Sequence, residues 1–277
     1  MTISLPDPPT RAELRQHFVA SGIAGEVATP RDNNLEHYQL LAQGARHYLF
    51  GMEFSDSWTA SDVLALMVKK AGVDPDASHT TGIDTIEPDR TIEALEAMGD
   101  RLRTAADRHE DVLLATGHPA ALLPVYIEVA RALAASGCRV RTPAAGWSYI
   151  TDTQYGRQER GIRYICGTAA LSSGGALHHT HSPRPMREML TEVEQSGEPM
   201  PGLVVADHGW AGTAGQAGLD VVGFADCNDP ALFVGEAEGK IQCAVPLDDN
   251  VDPGHYALLT SYLLDRGGLL GEGPRAL

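Results

Sequence analysis

His179 and His181 stand two positions apart, in a segment that follows a predicted strand. In an extended segment, residues i and i+2 point to the same side, so the two imidazoles face one space. Two imidazoles placed in this way can bind one metal ion. Paired histidines also occur on ordinary protein surfaces, so the prediction of a metal site depends on further ligands nearby.

Oxygen-bearing side chains follow two other apolar runs. Asp207 comes directly after residues 203–206, and Asp226 and Asn228 come after residues 220–225. A carboxylate at the end of a buried strand is costly unless it is paired, hydrogen-bonded or bound to a metal. Oxygen ligands suit magnesium and manganese, and imidazoles suit zinc and manganese. The sequence therefore predicts a divalent metal ion (manganese, magnesium or zinc) held by His179, His181, Asp207, Asp226 and Asn228.

A strand-to-helix turn is predicted at Thr116, Gly117 and His118. A glycine at this place lets backbone N–H groups face a bound anion, and the helix N-terminus adds partial positive charge. We therefore predict that Thr116 and Gly117 bind the substrate and that His118 is a general acid or a phosphate clamp. The alternative is a tight turn with a capping threonine. The fingerprint GxGxxG is absent, which gives a nicotinamide cofactor little support.

Polar side chains near the start of a predicted N-terminal helix form a second candidate substrate site. Arg31, Asn33, Asn34 and His37 could together hold an anion, with Arg31 as the charge clamp. The alternative is an ordinary helix cap made by Asp32 or Asn33, whose neighbours face solvent.

The sequence patterns of several hydrolase classes are missing. The chain has no GxSxG elbow and no P-loop. The predicted nucleophile is therefore metal-activated water, with His118, Asp207 and His208 as the catalytic side chains. Asp248, Asp249 and Asn250 follow the last apolar run; they could add a carboxylate to the metal site, but a surface turn is the favoured interpretation.

The elements that must position these residues are predicted from hydrophobic periodicity. Short continuous apolar runs, typical of strands covered on both faces, begin near residues 112, 203, 220 and 241, and helices are predicted between them. This repeat predicts an α/β fold with a doubly wound, mostly parallel, Rossmann-like sheet, whose chemistry lies at the carboxyl ends of the strands. Residues 1–110 are predicted to be a helical N-terminal extension or cap, and residues 111–277 to carry the site, with one compact domain as the alternative.

Composition bounds the partners of the chain. A net charge of −16 argues against nucleic-acid binding, which needs a basic face. No apolar run approaches the ~20 residues of a membrane span, and the start lacks the features of a signal peptide. We therefore expect a cytoplasmic protein whose four cysteines are buried thiols. A homodimer is expected only because dimers are common.

Five longer motifs are spread over nearly the whole chain. They are NNLEHY at 33–38, ATGHP at 115–119, HTHSP at 179–183, VADHGWAG at 205–212 and FADCNDPALF at 224–233. Together they resemble a bacterial family, common in actinomycetes, that is known simply as phosphatase. The resemblance implies a phosphatase, and relatives near natural-product gene sets would imply a sugar phosphate or nucleotide-like substrate and a place in secondary metabolism. It assigns no catalytic residues, so the roles above rest on residue chemistry.

We therefore expect metal-dependent hydrolysis of a phosphate monoester on a small metabolite. One alternative is a lyase or isomerase that acts on a sugar phosphate through histidine and aspartate acid–base chemistry. Another is a non-catalytic sensor of a phosphorylated metabolite, which ligand binding would stabilise without turnover. Release of inorganic phosphate separates the hydrolase from both alternatives.

Overall fold

A large mixed β-sheet with helices packed against it forms the centre of the molecule. The computed structural model describes residues 5–153 and 156–270. In chain order the strands are β1 (Gly25–Pro30), β2 (Ile83–Ile86), β3 (Asp111–Thr116), β4 (Arg139–Val140), β5 (Ser148–Thr153), β6 (Gly156–Ile165), β7 (Thr168–Ser173), β8 (Ala176–His178), β9 (Leu203–Ala206), β10 (Val221–Ala225) and β11 (Cys243–Pro246). The α-helices are α1 (Arg11–Ser21), α2 (Arg31–Ala42), α3 (Ala60–Lys70), α4 (Pro88–Arg108), α5 (Pro119–Ala135), α6 (Arg184–Ser196), α7 (His208–Gln216), α8 (Ala231–Ala237) and α9 (Ala257–Arg266). Short 3-10 helices occupy Arg46–Tyr48 and Pro253–Tyr256.

The middle of the large sheet is parallel and one side of it is antiparallel. Across the described part of the sheet the order is β11, β10, β9, β3, β7, β6 and β5. The neighbours from β11 to β7 are parallel, whereas β7, β6 and β5 alternate in direction. Strand β4 pairs in parallel with the start of β3, and β8 pairs antiparallel with the end of β7. The predicted α/β class and a mostly parallel central sheet are therefore confirmed.

The strands with continuous apolar sequence are the buried ones. Every residue of β9, β10 and β11 is buried, and so are the last five residues of β3. Helix α4 packs an apolar stripe inward, formed by Ile92, Leu95, Met98 and Leu102 at helical spacing. Because the four strands are parallel neighbours, their carboxyl ends meet at one edge of the sheet, and the loops that follow them lie together.

The first 110 residues contain a small sheet besides their helices. Strands β1 and β2 pair antiparallel, with Gly25 opposite Ile86. The prediction of a helical N-terminal part missed both strands because they are short and their polarity does not follow their burial: Thr29 and Asp84 are buried, whereas Ile83 is exposed. Buried residues from both sides of position 110 belong to one hydrophobic cluster, for example Phe18 and Val204. The division into two parts at residue 110 stays a prediction.

The cysteines differ in burial. Cys138, Cys227 and Cys243 are buried free thiols, as expected, but Cys166 is exposed, so the prediction was wrong for it. Cys166 lies in the turn between β6 and β7 with a φ of 49°, and this conformation exposes it to solvent. None of the helices in residues 5–153 and 156–270 is long and apolar enough to cross a membrane.

Candidate active site

One cavity at the carboxyl ends of the parallel strands collects most of the side chains that could do chemistry. Its volume is about 470 Å³. The predicted residues that line it are His37, His118, His179, His181, His208, Asp226 and Asn228. The other polar residues around it are Thr29, Asp229, Asp248, Asp249 and Asn250. Thr29 and Asn250, which are 221 positions apart in sequence, therefore meet in one place.

Asp207 is fully buried behind the wall of this cavity. Its Oδ1 accepts hydrogen bonds from the Gly117 N–H at 2.5 Å and from His208 Nδ1 at 2.8 Å. Its Oδ2 accepts a hydrogen bond from the Thr116 hydroxyl at 2.7 Å. Burial raises the pKa of Asp207, but these hydrogen bonds outweigh burial and hold the pKa below its ordinary value. Both oxygens are engaged, so the geometry favours a positioning role for Asp207 over the predicted role of metal ligand.

His208 is oriented by Asp207. Its backbone has a φ of 48°, which turns the first residue of α7 so that its ring stands beside the preceding carboxylate. Because Asp207 binds Nδ1, Nε2 faces the cavity, 3.2 Å from Asp229 Oδ2 and 3.5 Å from Asp249 Oδ2. Burial disfavours the imidazolium, but the flanking carboxylates outweigh burial and raise the pKa of His208. A carboxylate on one ring nitrogen that leaves the other free is the usual support of a metal-binding histidine.

Two glycines let the histidine segment approach closely. The Thr180 N–H donates to the Gly117 carbonyl at 2.9 Å. A Cβ at Gly117 would lie 2.5 Å from the Thr180 oxygen, and a Cβ at Gly209 would lie 2.2 Å from the His181 oxygen. The Gly117 N–H donates to Asp207 and is not available to an anion. The Thr116 hydroxyl donates to the same carboxylate. The alternative of a tight structural turn therefore holds for both residues, and their predicted role in substrate binding does not.

His179 and His181 lie on the same side of the segment, as their spacing predicts. The segment continues from β8, which returns from β7 through a two-residue turn, Gly174 and Gly175, with φ of 56° and 89°. The two Nε2 atoms are 3.0 Å apart, a distance that suits either a hydrogen bond or two ligands of one ion. Burial lowers the pKa of His181 to about 3, and burial and neighbouring imidazoles lower the pKa of His179 to about 4. Both rings are therefore neutral at pH 7, the form that binds metal.

The rings of three further residues hold these imidazoles in place. His118 stacks on His179 with ring centroids 4.5 Å apart, and His47 stacks on His181 at 4.4 Å. Phe50 meets His181 edge-on at 4.9 Å. His118 Nδ1 is 3.0 Å from Asp249 Oδ1. Burial lowers the pKa of His118, but Asp249 outweighs burial and raises it above its usual value.

Three carboxylates form the other wall of the cavity. Oxygens of Asp226, Asp248 and Asp249 lie within 4.8 Å of one another, and the three residues are at most 5% exposed. Asp226 accepts from the Thr29 hydroxyl at 2.7 Å, and Asp248 accepts from the Ala28 N–H at 3.2 Å. Burial, with Asp249 and Asp248 next, raises the pKa of Asp226. The interpretation of Asp248 and Asp249 as a surface turn was wrong, because β11 ends directly against the cavity.

The donor set fits a divalent metal ion. Groups of three ligand atoms within 4.8 Å of one another are formed by His118, His179 and His208, by His181, His208 and Asp229, and by the three carboxylates. Two ligands at about 2.0–2.2 Å from one ion lie about 2.8–3.6 Å apart for ligand–metal–ligand angles from octahedral to tetrahedral, a range that includes the 3.0 Å between the two Nε2 atoms. Asp249 Oδ2 and His181 Nδ1 are buried without a hydrogen-bond partner among the described residues. Ordered water or a bound ion can satisfy buried polar atoms of this kind.

Arg31 does not reach the cavity. Its side chain is fully buried, and its guanidinium donates to Asp84 at 2.6 Å and to the backbone carbonyls of Asp74, Asp76 and His79. Asn34 donates to the same Asp84 carboxylate at 2.7 Å. Arg31 is therefore not a charge clamp for the substrate. It forms a buried ion pair with Asp84, 53 residues away, and this pair joins the segment 74–84 to α2.

The rest of the predicted N-terminal substrate site is divided. His37 lines the cavity, and its Nδ1 is 2.7 Å from the carbonyl oxygen of Asn228. This contact positions the loop that carries Asn228, and Asn228 itself lines the cavity. Asn33 is half-buried and does not line the cavity. Of the four predicted residues, the structure therefore brings only His37 to the site.

Sequence reasoning missed Asp229, Thr29 and His47, and for Asp249 it favoured a surface turn over a place in the site. Asp229 stands three positions after Asp226 in the same loop, and Asp249 follows β11 as Asp207 follows β9. Position at the end of a predicted buried strand was therefore a usable signal for both carboxylates. Thr29 and His47 carried no comparable signal, because neither stands at the end of a strand of the large sheet.

Comparison with known proteins identifies the family of the chain. The profile of the protein family described as Phosphatase matches residues 9–271. A protein of Streptomyces coelicolor named Phosphatase SCO2771 is 49% identical over 267 residues, which are 96% of this chain and 99% of that protein. The match spans the helical beginning, the strands and the loops of the cavity. The chain therefore belongs to the Phosphatase family.

Proposed function

We propose that this phosphatase hydrolyses the phosphate monoester of a small metabolite, such as a sugar phosphate or a nucleotide-like compound, with a divalent metal ion. One observation carries the proposal: five imidazoles and four carboxylates line one cavity, and most of them come from the loops at the carboxyl ends of parallel strands. Such a mixed set of nitrogen and oxygen donors suits manganese, zinc or magnesium. The small volume of the cavity, about 470 Å³, suits a phosphoryl group and a small leaving group.

Two adjacent cation positions explain the division of the ligands. His179, His181, His208 and Asp229 would hold one ion on the imidazole side, and Asp226, Asp248 and Asp249 a second on the carboxylate side. Three buried carboxylates in contact are costly unless protons or a cation offset their charge. Asp249 faces both groups, since its oxygens lie 3.0 Å from His118 and 3.5 Å from His208. It would therefore be available as a ligand on either side.

In the reaction, water forms a bond to phosphorus, the bond from phosphorus to the ester oxygen breaks, and one proton passes to the leaving alkoxide. A bound divalent ion would supply activation of water and polarisation of the phosphoryl oxygens. His118 is the proposed acid for the leaving oxygen, because Asp249 beside its Nδ1 supports the protonated ring and leaves Nε2 free. Asp207 positions His208, and the stacked rings of His179 and His118 hold one geometry.

We propose that the parallel strands form a doubly wound, Rossmann-like core that residues 1–110 cap. Contacts of α4 with β11, of α5 with β3 and of α7 with β9 and β10 support this arrangement. His37 and Thr29, which line the cavity from this first part, support a role of the cap in closing the site.

The test combines metal content with phosphate release. The protein is purified, its metals are measured by mass spectrometry, and inorganic phosphate release is followed with p-nitrophenyl phosphate, sugar phosphates and nucleotides, with and without chelator. His179→Ala and Asp249→Asn should each lower bound metal and lower the rate at least 100-fold.

Neighbouring residues provide matched controls. His178→Ala removes the adjacent histidine, and Asp252→Asn removes an exposed carboxylate that caps Gly254. Both control variants should keep metal and activity. Full activity of the site variants, or of the chelated protein, would refute metal-dependent hydrolysis, and turnover without phosphate release would favour the lyase or isomerase.

A further inference from the structure

A second and larger cavity adjoins the candidate active site. Its volume is about 870 Å³. His179 and His181 line both cavities, so the histidine segment forms the boundary between them. His47, which stacks on His181, lines only the second cavity. A molecule that reaches the metal-binding side of the imidazoles can therefore extend past them into this second space.

Three arginines from different elements line the second cavity. Arg46 comes from the 3-10 helix Arg46–Tyr48, Arg160 from β6 and Arg187 from α6. Within residues 5–153 and 156–270, no carboxylate lies within ion-pair distance of any of the three. The Nε of Arg160 is also buried without a hydrogen-bond partner in that part of the chain. Glu53 is the carboxylate that lines the same cavity.

This cluster differs from most of the other arginines in the described residues, although a few of those, such as Arg163 and Arg184, also have no carboxylate within ion-pair distance. The net charge is −16, and arginines elsewhere, such as Arg31, Arg101 and Arg139, pair with carboxylates. An acidic protein that leaves three guanidinium groups beside its active site keeps a local positive potential there. The planar guanidinium binds phosphate and carboxylate groups through paired hydrogen bonds. The first cavity, in contrast, presents carboxylates that would repel an anion unless a metal offsets them.

We propose that the second cavity binds a second anionic group of the substrate, so that the preferred substrate carries a phosphate monoester and, on its leaving-group side, another phosphate or a carboxylate. The inference rests on the proposed function, because it assumes that the scissile phosphate lies in the first cavity. Arg160 would be the central contact, since its Nε is already desolvated and unpaired. Arg46 and Arg187 would bind the same group from the two sides of the opening.

The test compares substrates that differ by one anion. A hexose bisphosphate is compared with the matching hexose monophosphate, and 3-phosphoglycerate with glycerol 3-phosphate. p-Nitrophenyl phosphate serves as a substrate without a second anion. We expect the substrate with two anionic groups to have a kcat/KM at least tenfold higher in at least one pair. The pair that shows the preference tells whether the second group is a phosphate or a carboxylate.

Arginine variants then locate the contact. Arg160→Gln and Arg187→Gln should raise KM for the preferred substrate about 10- to 100-fold, because each loses charge-assisted hydrogen bonds. The same variants should leave hydrolysis of p-nitrophenyl phosphate within about twofold of the wild type. Arg163→Gln is the matched control, because it removes one arginine from the exposed side of the same strand. It should leave KM unchanged for both the preferred substrate and p-nitrophenyl phosphate.

The outcomes separate the two proposals. Equal kcat/KM within both pairs, or arginine variants that slow the hydrolysis of all substrates alike, would overturn the second-anion subsite. The proposed function would still stand if phosphate release from p-nitrophenyl phosphate depended on metal. No phosphate release from any substrate, with manganese, magnesium and zinc each supplied, would overturn the proposed function and the subsite with it.

Discussion

Replacement of Asp207 by asparagine is the most informative single change in this site. The carboxylate holds three donors, at 2.5 Å from the Gly117 N–H, 2.7 Å from the Thr116 hydroxyl and 2.8 Å from His208 Nδ1. Asparagine has nearly the same shape, and its oxygen can take the place of Oδ1 and accept from Gly117 and His208. The side-chain NH2 then faces Thr116, which must rotate its hydroxyl. The shape of the site is kept, but the negative charge behind His208 is lost.

The size of the effect follows from these contacts. A hydrogen bond to an ionised group stabilises by about 1.5–3 kcal/mol and a neutral one by about 0.5–1.5 kcal/mol. A loss of about 1 kcal/mol for each of three bonds lowers the free energy of unfolding by up to about 3 kcal/mol. Removal of a carboxylate that supports a metal-binding histidine weakens metal binding about 10- to 100-fold. Asp207→Ala would leave three buried donors unpaired and is expected to unfold the protein instead.

The assay measures metal affinity separately from folding. Manganese or zinc binding to Asp207→Asn is measured by competition with a chelating dye, and folding by circular dichroism and urea denaturation. Thr116→Val removes one of the three donors but keeps the carboxylate, so its loss of affinity should be smaller. Wild-type metal affinity in a folded Asp207→Asn protein would refute the positioning role of Asp207. A loss of affinity that only parallels unfolding would refute it equally.

Three further predictions test the cavity, the sheet and a distant contact. In chelated protein, Asp226→Asn should raise the free energy of unfolding by about 1–3 kcal/mol, because it neutralises one of three crowded carboxylates, while metal content falls; a less stable chelated variant would contradict this. Gly223→Ala should destabilise the fold by about 3 kcal/mol or more in urea denaturation, because its Cβ would lie 1.6 Å from the Ala206 oxygen; an unchanged midpoint would show that β10 can shift. Burial raises the pKa of Glu238, but Lys240 and three N–H donors outweigh burial and lower the pKa from 4.5 to about 2. The ionised carboxylate therefore adds up to about 3 kcal/mol to the free energy of unfolding above pH 4.5, and this contribution is lost as the pH falls toward 2. Glu238→Gln should therefore be less stable than wild type at pH 7 and equally stable near pH 2, and a difference that did not vary with pH would refute this.

The parallel core was predictable because its strands are continuous apolar runs. Residues 203–206 and 221–225 can be covered on both faces only inside a sheet, and the glycines and prolines around them mark the loops. The small sheet of β1 and β2 was not predictable, since its strands are short, a buried residue of β2 is the charged Asp84 and Pro30 ends β1. Strand β7 was missed as well, because its alanines and serines have no strong strand propensity until β3 and β6 cover them.

The candidate site was predictable where a local pattern carried the chemistry. The spacing of His179 and His181 is enough to place their rings on one side, and both line the cavity. The partner of a charged residue was not predictable, because it depends on distant segments. Arg31 is claimed by Asp84, and Asp249 is buried because the end of β11 lies against His118. Composition around each of these residues resembles an ordinary surface turn or helix start.

The return of β8 along β7 has a consequence for how this chain can change during evolution. Side chains of an extended strand alternate, so a single residue inserted between the Gly174–Gly175 turn and the histidines would exchange the two sides of the segment. Thr180 would then face the cavity, and the imidazoles would be driven toward Gly117, where a Cβ already has no room. Two inserted residues would restore the original sides. Insertions and deletions between this turn and the histidines should therefore involve an even number of residues. An even difference in length at this place would mark family members that keep the chemistry.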